Sequence, residues 1–149
     1  MSTAVLRECT ACGKPNRIPA RHLTHAGKCG SCHAPIGPQN LPIEVESEEE
    51  FAGIIAEAAV PVLIDFWAAW CGPCRMAAPE VKALAAEMAG HALVLKVDTE
   101  ALPQVAARFQ VQSIPNFVVI KDGKVALQQP GLTPRAEMKR WLEAAGRPG

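Results

Sequence analysis

Six cysteines form three Cys-x-x-Cys pairs, and this arrangement constrains the chain more than any other feature of its 149 residues. The pairs are Cys9 and Cys12, Cys29 and Cys32, and Cys71 and Cys74. The start of the chain shows no apolar export segment, so such pairs are more typical of metal ligands or redox-active thiols than of a disulfide framework. We therefore expect a reducing compartment, the cytoplasm, as the protein's location.

Charge and hydrophobicity exclude several classes of protein. The 15 Lys and Arg residues balance the 15 Asp and Glu residues, so net charge favours neither a nucleic acid nor an acidic membrane surface as partner. Hydrophobic residues make up 49% and charged residues 20%, a globular balance that excludes a disordered or collagen-like chain. No stretch approaches the roughly 18 consecutive apolar residues of a transmembrane helix. We expect no nucleic-acid partner and no membrane partner.

Residues 1–40 differ in composition from the rest of the chain. They contain four of the six cysteines and an excess of basic side chains, but too few apolar residues for a core of their own. Segments this short usually need a metal or disulfides to fold. Residues 35–40 are rich in turn formers and indicate a linker. The sequence thus predicts an N-terminal metal-binding module over residues 1–40 and a second domain over residues 41–149.

From residue 41 onward, strand patterns alternate with helix patterns in the order β-α-β-α-β-α-β-β-α. Ser47-x-x-Glu50 is a capping box that predicts a helix start. Asp122-Gly123 predicts a hairpin turn, and Thr133 is expected to cap a last helix with Pro134 in its first position. Strands that alternate with helices and end in a hairpin predict an α/β fold, a mixed central sheet with helices on both faces.

The third cysteine pair lies where a buried strand, residues 62–67, gives way to a helix. Unpaired N–H groups at a helix start stabilise a thiolate, which favours Cys71 as nucleophile. The two-residue spacing brings Cys74 within reach as resolving thiol, while Gly72 leaves Cys71 open to attack and Pro73 suits an early helix position. The alternatives are a static disulfide or half of a metal site. Against the metal, the next histidine is His91, outside ligand spacing.

Residues 62–74, Val-Leu-Ile-Asp-Phe-Trp-Ala-Ala-Trp-Cys-Gly-Pro-Cys, resemble the active-site stretch of thioredoxins. The likeness runs from about residue 41 to residue 145 and includes Ser113-Ile114-Pro115, Lys121-Asp122-Gly123 and Gly131 in the expected order. This resemblance implies a thioredoxin fold and a protein-disulfide reductase. It also implies disulfide-containing protein substrates and reduction of the oxidised protein by an NADPH-dependent thioredoxin reductase.

Asp65 interrupts the apolar strand before the redox pair. A carboxylate buried there should have a raised pKa, because desolvation disfavours the charged form, and it could then exchange a proton near neutral pH. The alternative is a solvated aspartate at a strand edge. The thioredoxin resemblance implies that Asp65 accepts the proton of Cys74, and it matches Lys96 to the lysine usually found near that carboxylate.

The same resemblance implies a docking surface for protein substrates. It matches Pro115 to a cis-proline beside the redox pair, where the backbone of Ile114 could pair with an extended substrate segment. A trans bond is the ordinary alternative, since only about 5–6% of X–Pro bonds are cis. The expected surface comprises Trp70, Gly72, Pro73, Ile114, Pro115 and Gly131.

The first two cysteine pairs have the spacing of a four-cysteine zinc site, with sixteen residues between Cys12 and Cys29. Four thiolates would close the coordination sphere of one Zn²⁺, which would then be structural. Gly13 and Gly30 are expected to supply the backbone conformations of the two turns. Two disulfides, iron on the same four sulfurs, or His33 in place of one cysteine are the alternatives.

Residues 1–40 also resemble the zinc-binding extension that precedes the thioredoxin domain in the bacterial thioredoxin 2 type. With both parts in this order, the sequence predicts a thioredoxin whose zinc site is structural or redox-sensing. Two other functions remain open at this point. One is a zinc-dependent protein-binding or nucleic-acid-binding module on a thioredoxin scaffold, and the other is a chaperone regulated by oxidation of the zinc thiolates.

Overall fold

The structure is a computed structural model that describes residues 3–147. Its N-terminal part is built from two small antiparallel hairpins. Strand β1 (Ala4–Glu8) pairs with β2 (Pro15–Pro19), and β3 (Gly27–Lys28) pairs with β4 (Pro35–Ile36). A short 3-10 helix, Ala20–His22, connects the hairpins. Each hairpin turns through one Cys-x-x-Cys pair, so the turns carry the four N-terminal cysteines.

The remaining elements follow the predicted order of strands and helices. They are β5 (Ile43–Glu44), α1 (Glu48–Glu57), β6 (Val62–Trp67), α2 (Gly72–Glu87), β7 (Leu93–Asp98), α3 (Pro103–Arg108), β8 (Asn116–Lys121), β9 (Lys124–Pro130) and α4 (Arg135–Gly146). The β8–β9 turn has positive φ at Asp122 (54°) and Gly123 (76°), as the predicted hairpin requires. The α/β prediction is confirmed.

The central sheet has five strands in the order β5-β7-β6-β8-β9. Strand β6 lies in the middle, parallel to β7 and antiparallel to β8. Successive residues of β6 point to opposite faces of the sheet. Ile64 and Phe66 enter the core that includes α1, whereas Leu63 enters the core formed with α2 and α4. Asp65 therefore faces the α2 side.

The N-terminal part packs on the α1 side of the sheet. Ala20 and Leu23 are buried in the same hydrophobic core as Phe51 and Ile54 of α1, and Leu23 is only 1% exposed. The backbone N–H of Gln39 donates to the carbonyl of Leu23 at 2.7 Å, which ties the connecting segment to the same place. The module thus shares apolar core with the rest of the chain.

Two helix starts follow different rules. Ser47 caps α1 as predicted, since its hydroxyl accepts the backbone N–H of Glu50 at 3.0 Å. The prediction for α4 is wrong in detail. Pro134 occupies the capping position itself, and the Thr133 hydroxyl donates to the carbonyl of Gly131 at 3.1 Å instead of capping the helix. The helix starts one residue later than predicted because Pro134 has an extended ψ of 147°, while its carbonyl accepts the N–H of Met138 at 3.2 Å.

Within residues 3–147, no helix combines the length and the apolar character that a membrane crossing requires.

Candidate active site and metal centre

Cys71 occupies the capping position of α2, and Cys74 lies in the first turn of that helix. The Cys71 sulfur accepts the backbone N–H of Cys74 at 3.2 Å, and the two sulfurs form a disulfide. Helix N-terminal N–H groups and the helix dipole stabilise negative charge at this position. On reduction, the site therefore favours Cys71 as a thiolate, which is the form that attacks disulfides.

The loop before β8 lies against the redox pair. The Ile114–Pro115 peptide bond is cis, as the resemblance implied. The carbonyl oxygen of Ile114 is 3.7 Å from the Cys71 sulfur, and the backbone N–H of Gly131 donates to the carbonyl of Pro115 at 2.8 Å. The structure thus brings Ile114, Pro115 and Gly131 together beside Cys71.

Trp70 is the largest exposed apolar side chain next to the cysteines, with 66% of its surface accessible. Its indole N–H donates to Glu100 Oε1 at 2.6 Å, which fixes the ring at the edge of the site. Gly72 and Pro73 follow directly in α2 and are also exposed. The six residues predicted for docking therefore border one apolar rim around a largely buried disulfide.

Asp65 is buried beneath this region, with 1% of its surface accessible. Its Oδ1 atom has no hydrogen-bond partner in the part of the chain that the structure describes. Burial raises the pKa of Asp65 to about 7; Lys96 opposes this shift and Glu44 adds to it. The interpretation of Asp65 as a solvated edge residue is wrong, because β6 is the central strand.

Lys96 of β7 lies directly opposite Asp65 in the parallel β6–β7 pair. Its ammonium nitrogen is 4.7 Å from the centre of the Trp67 ring, a cation–π distance. The indole N–H of Trp67 donates to Glu44 Oε1 at 3.1 Å. Lys96 is therefore held near Asp65 by a neighbouring aromatic ring.

The four N-terminal cysteines converge on one point. All four sulfurs lie within 4.8 Å of one another; those of Cys9 and Cys32 are 3.6 Å apart, and those of Cys12 and Cys29 are 3.7 Å apart. Zn–S bonds of about 2.3 Å in a tetrahedron require sulfurs about 3.8 Å apart. The donor set and its spacing therefore suit one tetrahedral metal ion.

Backbone and side-chain N–H groups surround these sulfurs as they would surround thiolates. The N–H of Ala11 lies 3.4 Å from the Cys9 sulfur, and the N–H of Ser31 lies 3.4 Å from the Cys29 sulfur. The Asn16 amide donates to the Cys29 sulfur at 3.5 Å and accepts the Gly30 N–H at 2.9 Å. Donors on thiolates are a regular feature of metal centres.

The two cysteine turns differ in one predicted detail. Gly13 has a φ of 78°, as expected, but Gly30 does not have positive φ. His33, the residue that follows Cys32 as Gly13 follows Cys12, takes that conformation with a φ of 65°. Gly30 instead presents its N–H to Asn16. His33 is therefore a turn residue beside the four converging sulfurs.

Comparison with known proteins adds to this geometry. Residues 42–144 match the model of the family described as Thioredoxin, and residues 8–34 match the model described as Thioredoxin 2, N-terminal. The chain belongs to the thioredoxin family. Members of this family are protein-disulfide oxidoreductases, and this thioredoxin has the cysteine pair of that activity in place.

Individual relatives agree with the family models. Thioredoxin C-3 of Corynebacterium nephridii is 38% identical over 135 residues, which span 91% of each chain. Thioredoxin 1 of Chlorobaculum tepidum is 45% identical over 87 residues, 58% of this chain and 86% of its own. A solved structure of a mutant thioredoxin from Halobacterium salinarum NRC-1 superposes with a TM-score of 0.70 at 28% identity, covering 76% of this chain and 98% of its own.

Several residues of this thioredoxin's two centres were not singled out by the sequence. Asn16 binds one cysteine turn from the other hairpin, and Glu100 fixes Trp70. Glu44 in β5 contacts Trp67, and no sequence motif singles it out. The alternation of that strand does place Glu44 on the polar face, but only the pairing of distant strands shows which residues it meets.

Proposed function

We propose that this thioredoxin reduces disulfides in proteins, with Cys71 as nucleophile and Cys74 as resolving thiol. The observation that carries the assignment is the position of Cys71 at the start of α2, with the Cys74 N–H on its sulfur. Both residues are buried in the oxidised protein, with 3% of Cys71 and 5% of Cys74 accessible, and Cys74 lies in the first turn of α2. The Cys71 sulfur also lies 3.7 Å from the Ile114 carbonyl, beside the proposed docking rim, so an incoming disulfide is proposed to react at Cys71.

The reaction proceeds in two exchanges. The Cys71 thiolate attacks one sulfur of the substrate disulfide, forming a mixed disulfide and releasing the other substrate sulfur as a thiolate, which takes up a proton. Cys74 then gives its proton to Asp65 and attacks the Cys71 sulfur. This step forms the Cys71–Cys74 disulfide and releases the second substrate thiolate. Two electrons pass from the dithiol to the substrate.

Asp65 is suited to the proton step because its pKa of about 7 lets it accept a proton at neutral pH and release it afterwards. Lys96, opposite Asp65 in the sheet, supports the ionised form through its positive charge. Both residues lie on the face of the sheet that α2 covers.

The rim around the disulfide is proposed to bind extended segments of protein substrates. The backbone of Ile114 is next to the Cys71 sulfur and supplies main-chain pairing, which requires little of the substrate's sequence. Trp70, Gly72, Pro73, Pro115 and Gly131 contribute the apolar contacts. Thioredoxins in general are returned to the dithiol by a thioredoxin reductase, and we propose an NADPH-dependent reductase for this one.

The four sulfurs of the N-terminal module are proposed to bind Zn²⁺ through Cys9, Cys12, Cys29 and Cys32. When bound, the ion would offset two of the four thiolate charges and tie the two hairpins together. We propose that residues 1–40 form this module and residues 41–149 the thioredoxin domain. Thiolates in a metal site and a dithiol that must be re-reduced both suit the cytoplasm.

A trapping experiment tests the assignment of the redox cysteines. In a Cys74→Ser variant the second exchange is blocked, so a disulfide substrate should remain attached to Cys71 as a mixed disulfide, located by peptide mass mapping. The matched variant Cys71→Ser should trap nothing. Trapping on Cys9, Cys12, Cys29 or Cys32 would contradict the assignment.

A metal and thiol count on reduced, anaerobically purified protein tests the division of the cysteines. We expect one zinc per chain and two accessible thiols with the metal bound, and six thiols after denaturation with a chelator. Iron in place of zinc would correct the metal. Six accessible thiols without any metal would overturn the proposed zinc site.

A further inference from the structure

Glu44 is a carboxylate outside the redox pair that lies in one row with Asp65. In the β5–β7 pair, Glu44 is opposite Lys96, and in the β6–β7 pair Lys96 is opposite Asp65. The neighbours Ile43, Leu95 and Ile64 all enter the core on the α1 side. Glu44, Lys96 and Asp65 therefore share the other face, in a row across three strands.

Trp67 joins the outer members of this row. It lies two residues after Asp65 in β6, on the same face. Its indole N–H donates to Glu44 Oε1 at 3.1 Å, and the Lys96 ammonium lies 4.7 Å from its ring centre. Trp67 thus contacts both Glu44 and Lys96, the cation nearest to Asp65 in the sheet.

We propose that Glu44 is a positioning residue of the proton relay, which competes with Asp65 for the charge of Lys96 and so adjusts the pH range in which Asp65 accepts a proton. The inference rests on the proposed function, in which Asp65 accepts the proton of Cys74. Glu44 does not contact the reacting sulfurs. It acts on the pH at which Asp65 accepts the proton.

The electrostatic balance at both carboxylates agrees with this competition. Desolvation raises the pKa of Glu44, while Lys96 and the Trp67 hydrogen bond lower it and Asp98 raises it. At Asp65, desolvation is again the largest cause; Lys96 lowers the pKa and the charge of Glu44 raises it. Lys96 is thus shared by two acids.

Other elements contribute little charge near Asp65. The residue opposite Asp65 in β8 is Phe117, which is fully buried and apolar. From α2, the buried titratable groups are the redox cysteines, while its charged side chains Arg75, Glu80, Lys82 and Glu87 are exposed. Glu44 and Lys96 are therefore the charged side chains that govern Asp65.

Glu44 also lines a cleft of about 730 Å³ between the N-terminal module and β5. Glu46 lines the same cleft two residues further along and makes no side-chain hydrogen bond to Trp67. Glu46→Gln therefore removes one negative charge from the same cleft without disturbing the row. It is the matched control for Glu44→Gln, which keeps an oxygen to accept the Trp67 N–H.

The first test is the carboxyl ¹³C titration of Asp65 by NMR in the oxidised protein. Glu44→Gln should lower the Asp65 midpoint by about half a pH unit, because one negative charge about 10 Å away, two strand spacings, is removed. Glu46→Gln should leave the midpoint within about 0.1 unit of the unmodified protein, given the screening of exposed charges. An unchanged midpoint in Glu44→Gln, or equal shifts in both variants, would overturn the proposal.

The second test is the pH profile of mixed-disulfide resolution by Cys74. In Glu44→Gln, the acid limb of this profile should move to lower pH by the same half unit as the NMR midpoint. The variant Asp65→Asn distinguishes a failure of the proposed relay from a failure of the role of Glu44. If Asp65→Asn leaves the profile unchanged, the proposed relay itself fails. If Asp65→Asn abolishes the limb but Glu44→Gln does not move it, only the role of Glu44 fails.

Discussion

The N-terminal module and the thioredoxin domain use the same Cys-x-x-Cys spacing for different purposes. In the module, each pair lies in a hairpin turn, and the residue after the second cysteine takes positive φ. Both sulfurs of a turn then face the other turn, and four of them converge within 4.8 Å. In the thioredoxin domain, the pair starts a helix, and the sulfurs bond to each other.

The comparison shows that backbone context, rather than spacing, assigns the chemistry of a cysteine pair. The two turns direct four sulfurs to one point, whereas the start of α2 places two sulfurs close enough to bond to each other. The module's sulfurs also receive several N–H donors from neighbouring turns. Such donors stabilise thiolates, which suits a metal site.

The largest expected effect is a reciprocal loss in two serine variants. Cys71→Ser should lower insulin disulfide reduction, with dithiothreitol as electron donor, by at least about a thousandfold, because the nucleophile is gone. Its metal content should stay at the original level. Cys12→Ser should lose metal and retain the reduction rate within about threefold. If both variants lost activity equally, the two centres would not be separable as described.

The second prediction concerns the charge that each region buries. Asp65 has no hydrogen-bond donor on Oδ1, in contrast to the module's sulfurs. Its pKa is raised from 3.8 to about 7 in the folded protein, so the folded state binds more protons than the unfolded state between these values. Stability should therefore fall as pH rises from about 4 to about 7.

Asp65→Asn removes this pH dependence. The variant should be more stable than the unmodified oxidised protein, and its gain in free energy of unfolding should be about 3 kcal/mol larger at pH 8 than at pH 5. Urea unfolding at the two pH values measures the difference. An equal gain in stability at both pH values would mean that burial does not raise the pKa of Asp65. Asp65 would then not differ in this respect from the sulfurs of the module.

The third prediction tests how far the two regions are independent. Leu23 of the module is buried in the core that includes Phe51 of α1, so Leu23→Ala should cost about 3 kcal/mol of stability through the cavity it leaves. The exposed Leu6 in β1 is the matched control, and Leu6→Ala should change stability by less than about 0.5 kcal/mol.

Thermal unfolding distinguishes a shared core from two separate ones. With a shared core, Leu23→Ala should lower the transition of α1 and the central sheet. A thioredoxin-domain transition that stays at its original temperature, while only the module melts earlier, would show that the module is an independent attachment.

The smallest expected effect concerns Asn16, which joins the two cysteine turns. Asn16→Ala should weaken metal binding about tenfold, as is usual for loss of a hydrogen bond to a metal ligand. Competition with a chromogenic chelator measures the change. Insulin reduction should be unaffected, and a loss of activity alongside the weaker binding would indicate that the metal centre acts on the redox pair.

Much of the thioredoxin domain follows from local sequence pattern. Strand Val62–Trp67 lies where the apolar run predicts it, and the helix that follows places Cys71 at its start. Such patterns depend on residues that are close together in the chain, so the sequence alone is enough to find them. The four-cysteine cluster is predicted for the same reason, because its two turns are local.

The details that differ depend on pairs distant in the chain. The role of Glu44 depends on the register of β5 against β7, about 50 residues away, which no local pattern specifies. The contact of Gly30 with Asn16 also joins two hairpins, because the Gly30 N–H donates to the Asn16 side chain at 2.9 Å. The packing of Leu23 on α1 likewise requires the tertiary structure.

The contacts of Asn16 have a kinetic consequence for the metal centre. Its side chain fastens the turn of Cys29 to β2, the strand that follows the turn of Cys9 and Cys12. If a bound ion left the four sulfurs, the two pairs would stay neighbours instead of separating to the ends of a sixteen-residue loop. Rebinding would then need only a local rearrangement, with little loop-closure entropy to overcome. We therefore expect the proposed metal site to exchange its ion without unfolding of the module.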